Sequence, residues 1–378
     1  MTRARWAGDW SGPSLARPAW EAYAGMHARE LRAGASVGSG SRPCLIFMAR
    51  DNVVDGRLSG GFADRMTGLI SSFAVAILAN ATFLIDWPDL ARLFASPLGL
   101  QWHCPGCADD ALRLPRTAKL HFPFQSRNVS VPSVIAAVRF RARVTVIREA
   151  RGQLHKLVGH HVYAQQLAAL GLTRSSAFRE LHAALFAPTP FLIDRFEPEL
   201  RALRSTQPSV ALQMRLGDLQ IKNSAVSLKD YEASFACARA LAPGAIIYLM
   251  SDSQSLKEQA TAVYGSTVVA HMDRKEAPSL YHNYSVGALT GVAGDQLIAR
   301  QCDYHVVSER SGLGLQAFFL SDRVDPARLR LIVDPRKACQ TVDATRASHA
   351  AQLHSSPQAS YSDTGMDIAW LARRWSGI

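Results

Sequence analysis

From residue 44 onward, short unbroken apolar runs alternate with stretches whose apolar positions recur every three or four residues. The first run, Cys44-Leu-Ile-Phe-Met-Ala, has the length and continuity of a strand buried on both faces of a parallel sheet. A loop carrying Gly56, Gly60 and Gly61 follows, and then Met66, Leu69, Ile70, Phe73 and Ile77 mark one face of a helix. Thr82-Phe83-Leu84-Ile85 is a second strand. Strand, glycine loop, helix and strand in that order open a doubly wound α/β sheet.

The pattern is less regular between residues 89 and 205. RFRARVTVIREA reads as a strand or as the flank of a helix, whereas VYAQQLAALGL and SAFRELHAALF read as helices. The second of these stops at APTP. The PTP segment and RALRSTQPS predict a hinge at about residue 205. Beyond it the βα alternation returns, with strands at 210–214, 245–250, 268–270, 304–308 and 329–333. The helical patterns SLKEQATAVYG, GALTGVAGDQLIARQ and SGLGLQAFFLS lie between them. The expected organisation is therefore a poorly ordered leader over 1–43, rich in Ala, Arg, Gly and Ser, and two Rossmann-like domains at 44–205 and 206–340. A polar tail over 341–378 completes it, with IAWLARRW as a possible closing helix. No internal repeat is visible.

Bulk properties narrow the function classes. With 378 residues the chain is long enough for two ordinary domains. Its formal charge of +11 suits a phosphorylated small molecule, a nucleic acid or an anionic surface. The positives are scattered through TRAR, RVTVIREAR, RALR and ARLRLIVDPRK and are not interleaved with aromatics, which favours a phosphate-bearing ligand over nucleic acid. The apolar run from Met66 to Ile85 contains Asn80 and Thr82 and is tightly flanked by Asp64, Arg65 and Asp86, so it reads as a packing helix and strand rather than a membrane span. MTRARWAGDWSGPS has positives with no apolar core behind them, and no signal peptide is read there. One CPGC, at Cys104 and Cys107, falls short of the four ligands of a structural zinc site; it reads as a loop-closing disulfide or as two free thiols. No metal site is expected. Asn80, Asn128 and Asn283 match the glycosylation sequon, a short pattern that chance supplies in a chain of this length.

Ligands of open α/β sheets sit beyond the carboxyl ends of the strands. Three strand ends of the second domain carry polar groups: Arg215 with Asp218, Ser251 with Asp252, and Ser308 with Ser311. Taken singly, Arg215 and Asp218 could form a loop ion pair, Asp252 could cap the helix starting near Ser253, and Ser311-Gly312 could simply start a helix. Together they suit a nucleoside diphosphate. A helix start with small residues offers free backbone N–H groups to phosphate oxygens, and arginine offers a planar two-pronged donor.

Four segments also resemble, in order, the motifs of fucosyltransferases. VALQMRLGD resembles their strand-plus-arginine motif, an apolar strand with Q or H and then V-R-x-G-D. GGFADRMTGLISSFAVAILANATFLIDW is similar to their glycine loop, G-x-G-N-R-x-x-x-L, with its helix and a strand ending in D-W. YLMSDSQSLKEQ resembles their SDS-plus-helix element, and DQLIARQCDYHVVSERSGLG the segment D-x-x-x-L-x-x-C-D-x-x-V-x-S with a serine-rich helix start. The resemblance spans about residues 44 to 335 and is nearest to the plant xyloglucan fucosyltransferase family, with α1,6-fucosyltransferases and protein O-fucosyltransferases more distant.

The resemblance implies a GT-B fold, two Rossmann-like domains facing a cleft, and an inverting, metal-independent transfer of fucose from GDP-fucose to a glycan hydroxyl. The alternatives are the same fold using another nucleotide sugar, or a non-catalytic descendant that binds a nucleotide or glycan. It implies no cofactor and, through the family's usual place, the Golgi lumen and glycan biosynthesis. Arg215 matches the family's essential arginine. Ser308, Ser311 and Gly312 fall where phosphate is bound, and Asp252 on the nucleoside side. Gly60, Gly61, Phe62, Arg65, Gly217 and Asp218 complete the expected donor-binding set. The chain departs from the motif at Ala63 and Asp64, where the family has glycine and asparagine. Asp64 is then either a partner of Arg65 or Arg57, or a general base toward the acceptor hydroxyl.

Overall fold

The computed structural model describes residues 18–33, 40–49, 61–114, 117–120, 131–141, 143–148, 152, 154–158, 160–173, 175–204, 207–216, 227–272, 286–309, 311–334 and 336–354. The chain forms two compact units that divide between Phe191 and Leu192.

The first unit is built on a four-stranded parallel sheet. Its strands are β1 (Cys44–Met48), β2 (Thr82–Asp86), β3 (Thr117–Leu120) and β4 (Val144–Ile147), in the order β2-β1-β4-β3. RFRARVTVIREA turns out to hold both alternatives, a π-helical turn over Ala137–Arg141 and then β4. Helix α2 (Phe62–Ala79) is long and apolar enough to cross a membrane, but 83% of it is buried inside the fold. Asn80 ends it in the left-handed conformation (φ 55°), which asparagine tolerates better than most residues. Asn80 thus closes a helix, and Thr82 of its sequon is buried in β2; Asn128 and Asn283 lie outside the described residues.

Part of the expected leader is ordered. Helix α1 (Pro18–Ala33) buries Trp20, Tyr23, Met26 and His27, a helical spacing overlooked in a segment whose composition looked loop-like. Trp20 stacks on Phe73, the Tyr23 hydroxyl donates to Ala81 O at 3.0 Å, and His27 Nε2 lies 2.9 Å from Phe83 O. These contacts fasten α1 to α2 and β2.

The second unit has a six-stranded sheet: β5 (Ser209–Met214), β6 (Ile246–Ser251), β7 (Val268–Val269), β8 (Tyr304–Ser308), β9 (Leu329–Ile332) and β10 (Gln340–Thr341). The order is β10-β9-β8-β5-β6-β7, with every pair parallel except β9 and β10. Helices α5 (Glu232–Leu241), α6 (Gln254–Tyr264), α7 (Val286–Ala299), α8 (Gly312–Leu320) and α9 (Val342–His354) belong to this unit. In the first unit, α3 (Cys107–Leu112) and α4 (Ala177–Leu185) precede them. Within the expected polar tail, α9 is helical; IAWLARRW lies outside the described residues.

The residues between 192 and 204 pack with the second unit, ahead of the boundary expected at 205. Phe196 is fully buried against Gly294 of α7, where any added Cβ would collide with the ring. His271 Nδ1 meets Glu199 Oε1 at 2.8 Å, with the His271 ring 4.3 Å from that of Phe196. A disulfide between Cys237 of α5 and Cys339 beside β10 closes the unit covalently.

Candidate functional site

Sheet order singles out one place in the second unit. From β5 the chain proceeds outward through β6 and β7, then returns to the other side of β5 with β8 and β9. The direction of winding therefore switches between β5 and β8, and ligands of open α/β sheets sit beyond the carboxyl ends at such a switch. Arg215 directly follows β5 and Ser308 ends β8.

The two strand ends are tied together. Ser308 Oγ accepts from Arg215 N at 3.2 Å and donates to Gln213 O at 3.3 Å, while Ser308 N donates to Gln213 Oε1 at 3.3 Å. Asp252 Oδ1 accepts from Leu216 N at 2.8 Å. The backbone around Arg215 is thereby held from both neighbouring strand ends. The Arg215 residue itself is exposed, and its guanidinium makes no ion pair among the described residues.

Asp252 was one expected helix cap, but Ser253 takes that place: its hydroxyl accepts from Leu256 N at 3.2 Å. Ser251 Oγ in turn accepts from Ser253 N at 3.1 Å. A one-residue shift decides the matter, because Ser253 has the extended backbone of an N-cap and leaves Asp252 to reach across to Leu216.

Ser311 is the N-cap of α8, its side chain makes no capping bond, and its N–H donates to Ser308 O at 2.9 Å. Gly312 opens the helix, and Gly314 permits its close approach to the sheet: a Cβ there would lie 3.0 Å from both Gln213 Oε1 and Val307. Arg215, Asp252, Ser308, Ser311 and Gly312 thus form one contiguous group, whereas Gly217 and Asp218 lie outside the described residues. Gln213, Gly314 and Tyr231 belong to the same neighbourhood and were not singled out beforehand. Gln213 was visible as the Q of QMR. The Tyr231 hydroxyl is pushed up mainly by burial, opposed by nearby Arg336, and pushed further by Asp230 and Asp252.

The glycine-loop residues of the first unit take different parts. Phe62 is buried and packs on Trp87 with ring centroids 5.7 Å apart. The buried Arg65 sends Nη1 to Ala49 O, at 3.1 Å, just past the end of β1. Asp64 Oδ2 accepts from Gly61 N at 3.2 Å, the back-reaching half of a capping box at the third helical position. Gly60 and Arg57 lie outside the described residues. At the end of β2, the fully buried Asp86 accepts from Gly106 N at 3.0 Å and Ala108 N at 3.1 Å. Cys104 and Cys107 are free thiols, and among the described residues no three His, Cys, Asp or Glu side chains group as a metal site requires.

No family model and no curated protein sequence matches the chain. Solved structures do. An arginine-to-lysine mutant of Arabidopsis thaliana FUT1 in complex with GDP superposes over 88% of this chain and 79% of its own, at 13% identity and a TM-score of 0.55. Fucosyltransferase NodZ from Bradyrhizobium matches over 77% of this chain and 96% of its own (14% identity, TM-score 0.47). POFUT1 in complex with GDP matches over 77% and 98% (10% identity, TM-score 0.46). The first match carries the comparison, and with it the two parallel α/β sheets are those of a fucosyltransferase-like GT-B fold.

Proposed function

We propose that this chain is an inverting glycosyltransferase that moves fucose from GDP-fucose to a hydroxyl of a glycan. The observation that carries the reading is the group at the β5/β8 switch point, where an exposed arginine is held by its backbone beside an N-cap serine whose side chain makes no capping bond. GDP in the solved structure of the FUT1 mutant that resembles the chain supports the choice of nucleotide.

On this reading the diphosphate lies over the start of α8, where the N–H groups of the first turn meet its oxygens. Arg215 supplies the planar charged donor. Cleavage of the sugar–phosphate bond leaves positive charge on the sugar and negative charge on the departing diphosphate. Donors already in place for that negative charge stabilise the transition state without reorganisation. Asp252 and Ser308 act through the backbone, fixing where Arg215 starts. Asp64 keeps its capping role, and no resident metal is invoked.

The test is sugar release and transfer from a panel of labelled GDP-, UDP- and CDP-sugars, with and without a glycan mixture. Thermal stabilisation of the protein by each free nucleotide is measured alongside. Selective response to GDP and GDP-fucose is expected, with transfer abolished in Arg215→Lys and undiminished by EDTA. Indifference to every nucleotide overturns the enzyme reading, and full activity of the lysine variant overturns the role of Arg215.

A further inference from the structure

The CPGC turn of the first unit takes no part in the proposed transfer, yet its two thiols are brought together. Cys107 N donates to Cys104 O at 3.3 Å, closing a four-residue turn, and Gly106 supplies the positive φ of 86° that the turn requires. Such a turn brings its first and last Cα atoms within about 7 Å, against the roughly 4.4–6.8 Å that a disulfide spans. The turn is also anchored. Cys104 N donates to Ile85 O at 3.0 Å, and the Asp86 carboxylate holds the N–H groups of Gly106 and Ala108, one on each side of Cys107.

The two sulfurs are unequal. Of the four free cysteines, Cys104 alone is not buried. The hydrogen bond from the Cys107 thiol favours the Cys104 thiolate and holds Cys104 below the usual thiol range; the same bond, with burial, pushes Cys107 up. Burial pushes Cys44 and Cys302 up to about 12 each. Nucleophilic character is thus concentrated on the one thiol that solvent reaches.

We propose that Cys104 and Cys107 are a redox-active dithiol, with Cys104 as the attacking and Cys107 as the resolving sulfur, whose co-reactant is an external disulfide. The Cys104 thiolate displaces one half of that disulfide as a thiolate, which takes up the proton Cys104 has lost, and a mixed disulfide forms. Cys107 then gives up its proton, attacks Cys104 Sγ and expels the second half as a thiol. Two protein thiols are oxidised to one intraturn disulfide, and one external disulfide is reduced to two thiols. Capture of Cys104 in the first step removes the charge that held the Cys107 proton, so the resolving thiol is released when it is needed.

The experiment uses the full chain and oxidised glutathione, followed by alkylation of remaining thiols and peptide mass spectrometry. Expected are an internal Cys104–Cys107 disulfide with no persistent glutathione adduct, and reversal by dithiothreitol. In Cys107→Ser the reaction should stop at a Cys104–glutathione adduct. Failure of Cys104 to react, a stable Cys104 adduct in the unaltered protein, or a Cys44–Cys104 bridge would each overturn the proposal. The unaltered protein is decisive by itself should the variant fail to fold.

Discussion

The bond from Leu216 N to Asp252 Oδ1 is the shortest of those fixing the backbone around Arg215, and Asp252→Ala removes it. A hydrogen bond to a charged acceptor contributes about 1.5–3 kcal/mol. Asp252 is half-buried, so solvent screens it and the lower end applies, about 1.5 kcal/mol or roughly tenfold in an equilibrium. Two readouts follow. The Leu216 amide should exchange with solvent about tenfold faster under native conditions, while amides of β5 such as Leu212 keep their protection. GDP affinity should fall by a similar factor, because Arg215 loses one of its two backbone anchors while retaining its charge. Asp252→Asn keeps an oxygen acceptor and should restore most of the protection. Unchanged Leu216 exchange in the alanine variant would refute the anchor directly, whatever the ligand proves to be. Faster exchange with unchanged GDP affinity would leave the anchor standing but detach it from binding.

Gly294→Ala should destabilise the second unit by about 1–3 kcal/mol, read as a lower denaturation midpoint, since the new methyl meets the buried Phe196 ring; Phe196→Leu in the same chain should recover part of the loss. His305 is buried neutral with its pKa held down to about 4, so the unfolded chain binds more protons than the folded one between about pH 6.5 and 4. Stability is therefore fully present above about pH 6.5 and falls by about 3 kcal/mol on acidification toward pH 4, a loss that urea titrations should find diminished in His305→Gln. Replacing Cys237 by Ser opens a link between residues 102 apart and should cost about 2–5 kcal/mol, seen as a lower thermal midpoint that added reductant does not lower further.

The sheets were legible because strands buried on both faces read as short apolar runs: β1 and β6 carry four or more consecutive apolar residues, and β2, β5, β8 and β9 carry shorter runs beside a polar residue. Features whose stability comes from distant partners were not. Helix α1 hides its apolar positions among arginine, alanine and glycine, and only contact with Phe73, Ala81 and Phe83 shows what Trp20, Tyr23 and His27 are for. At the site, chain order could say that Arg215, Asp252 and Ser308 each lie at the carboxyl end of a strand. It could not say that β5 and β8 are neighbours, which depends on how the strands wind in space. Once they are, Ser308 is seen to accept the N–H of Arg215, and Asp252 that of Leu216.

The same reasoning bears on Asp64, the most conspicuous departure from the fucosyltransferase pattern. Its carboxylate lies in the first turn of α2 and accepts the Gly61 N–H, so the fold already employs it. Asp64→Asn separates capping from catalysis because it removes the charge and basicity but keeps an oxygen that can accept the same bond. A capping residue loses only the attraction between its charge and the helix N-terminus, about 0.3–1 kcal/mol. A general base would lose about 10²- to 10⁴-fold in turnover. The capping role therefore predicts a slightly lower melting temperature and nearly unchanged transfer. Turnover reduced a hundredfold in a variant that melts like the unaltered chain would make Asp64 the base after all. Asparagine being the residue of the fucosyltransferase pattern at this position, near-normal activity would further mean that the difference alters how a helix begins and leaves the chemistry where it is.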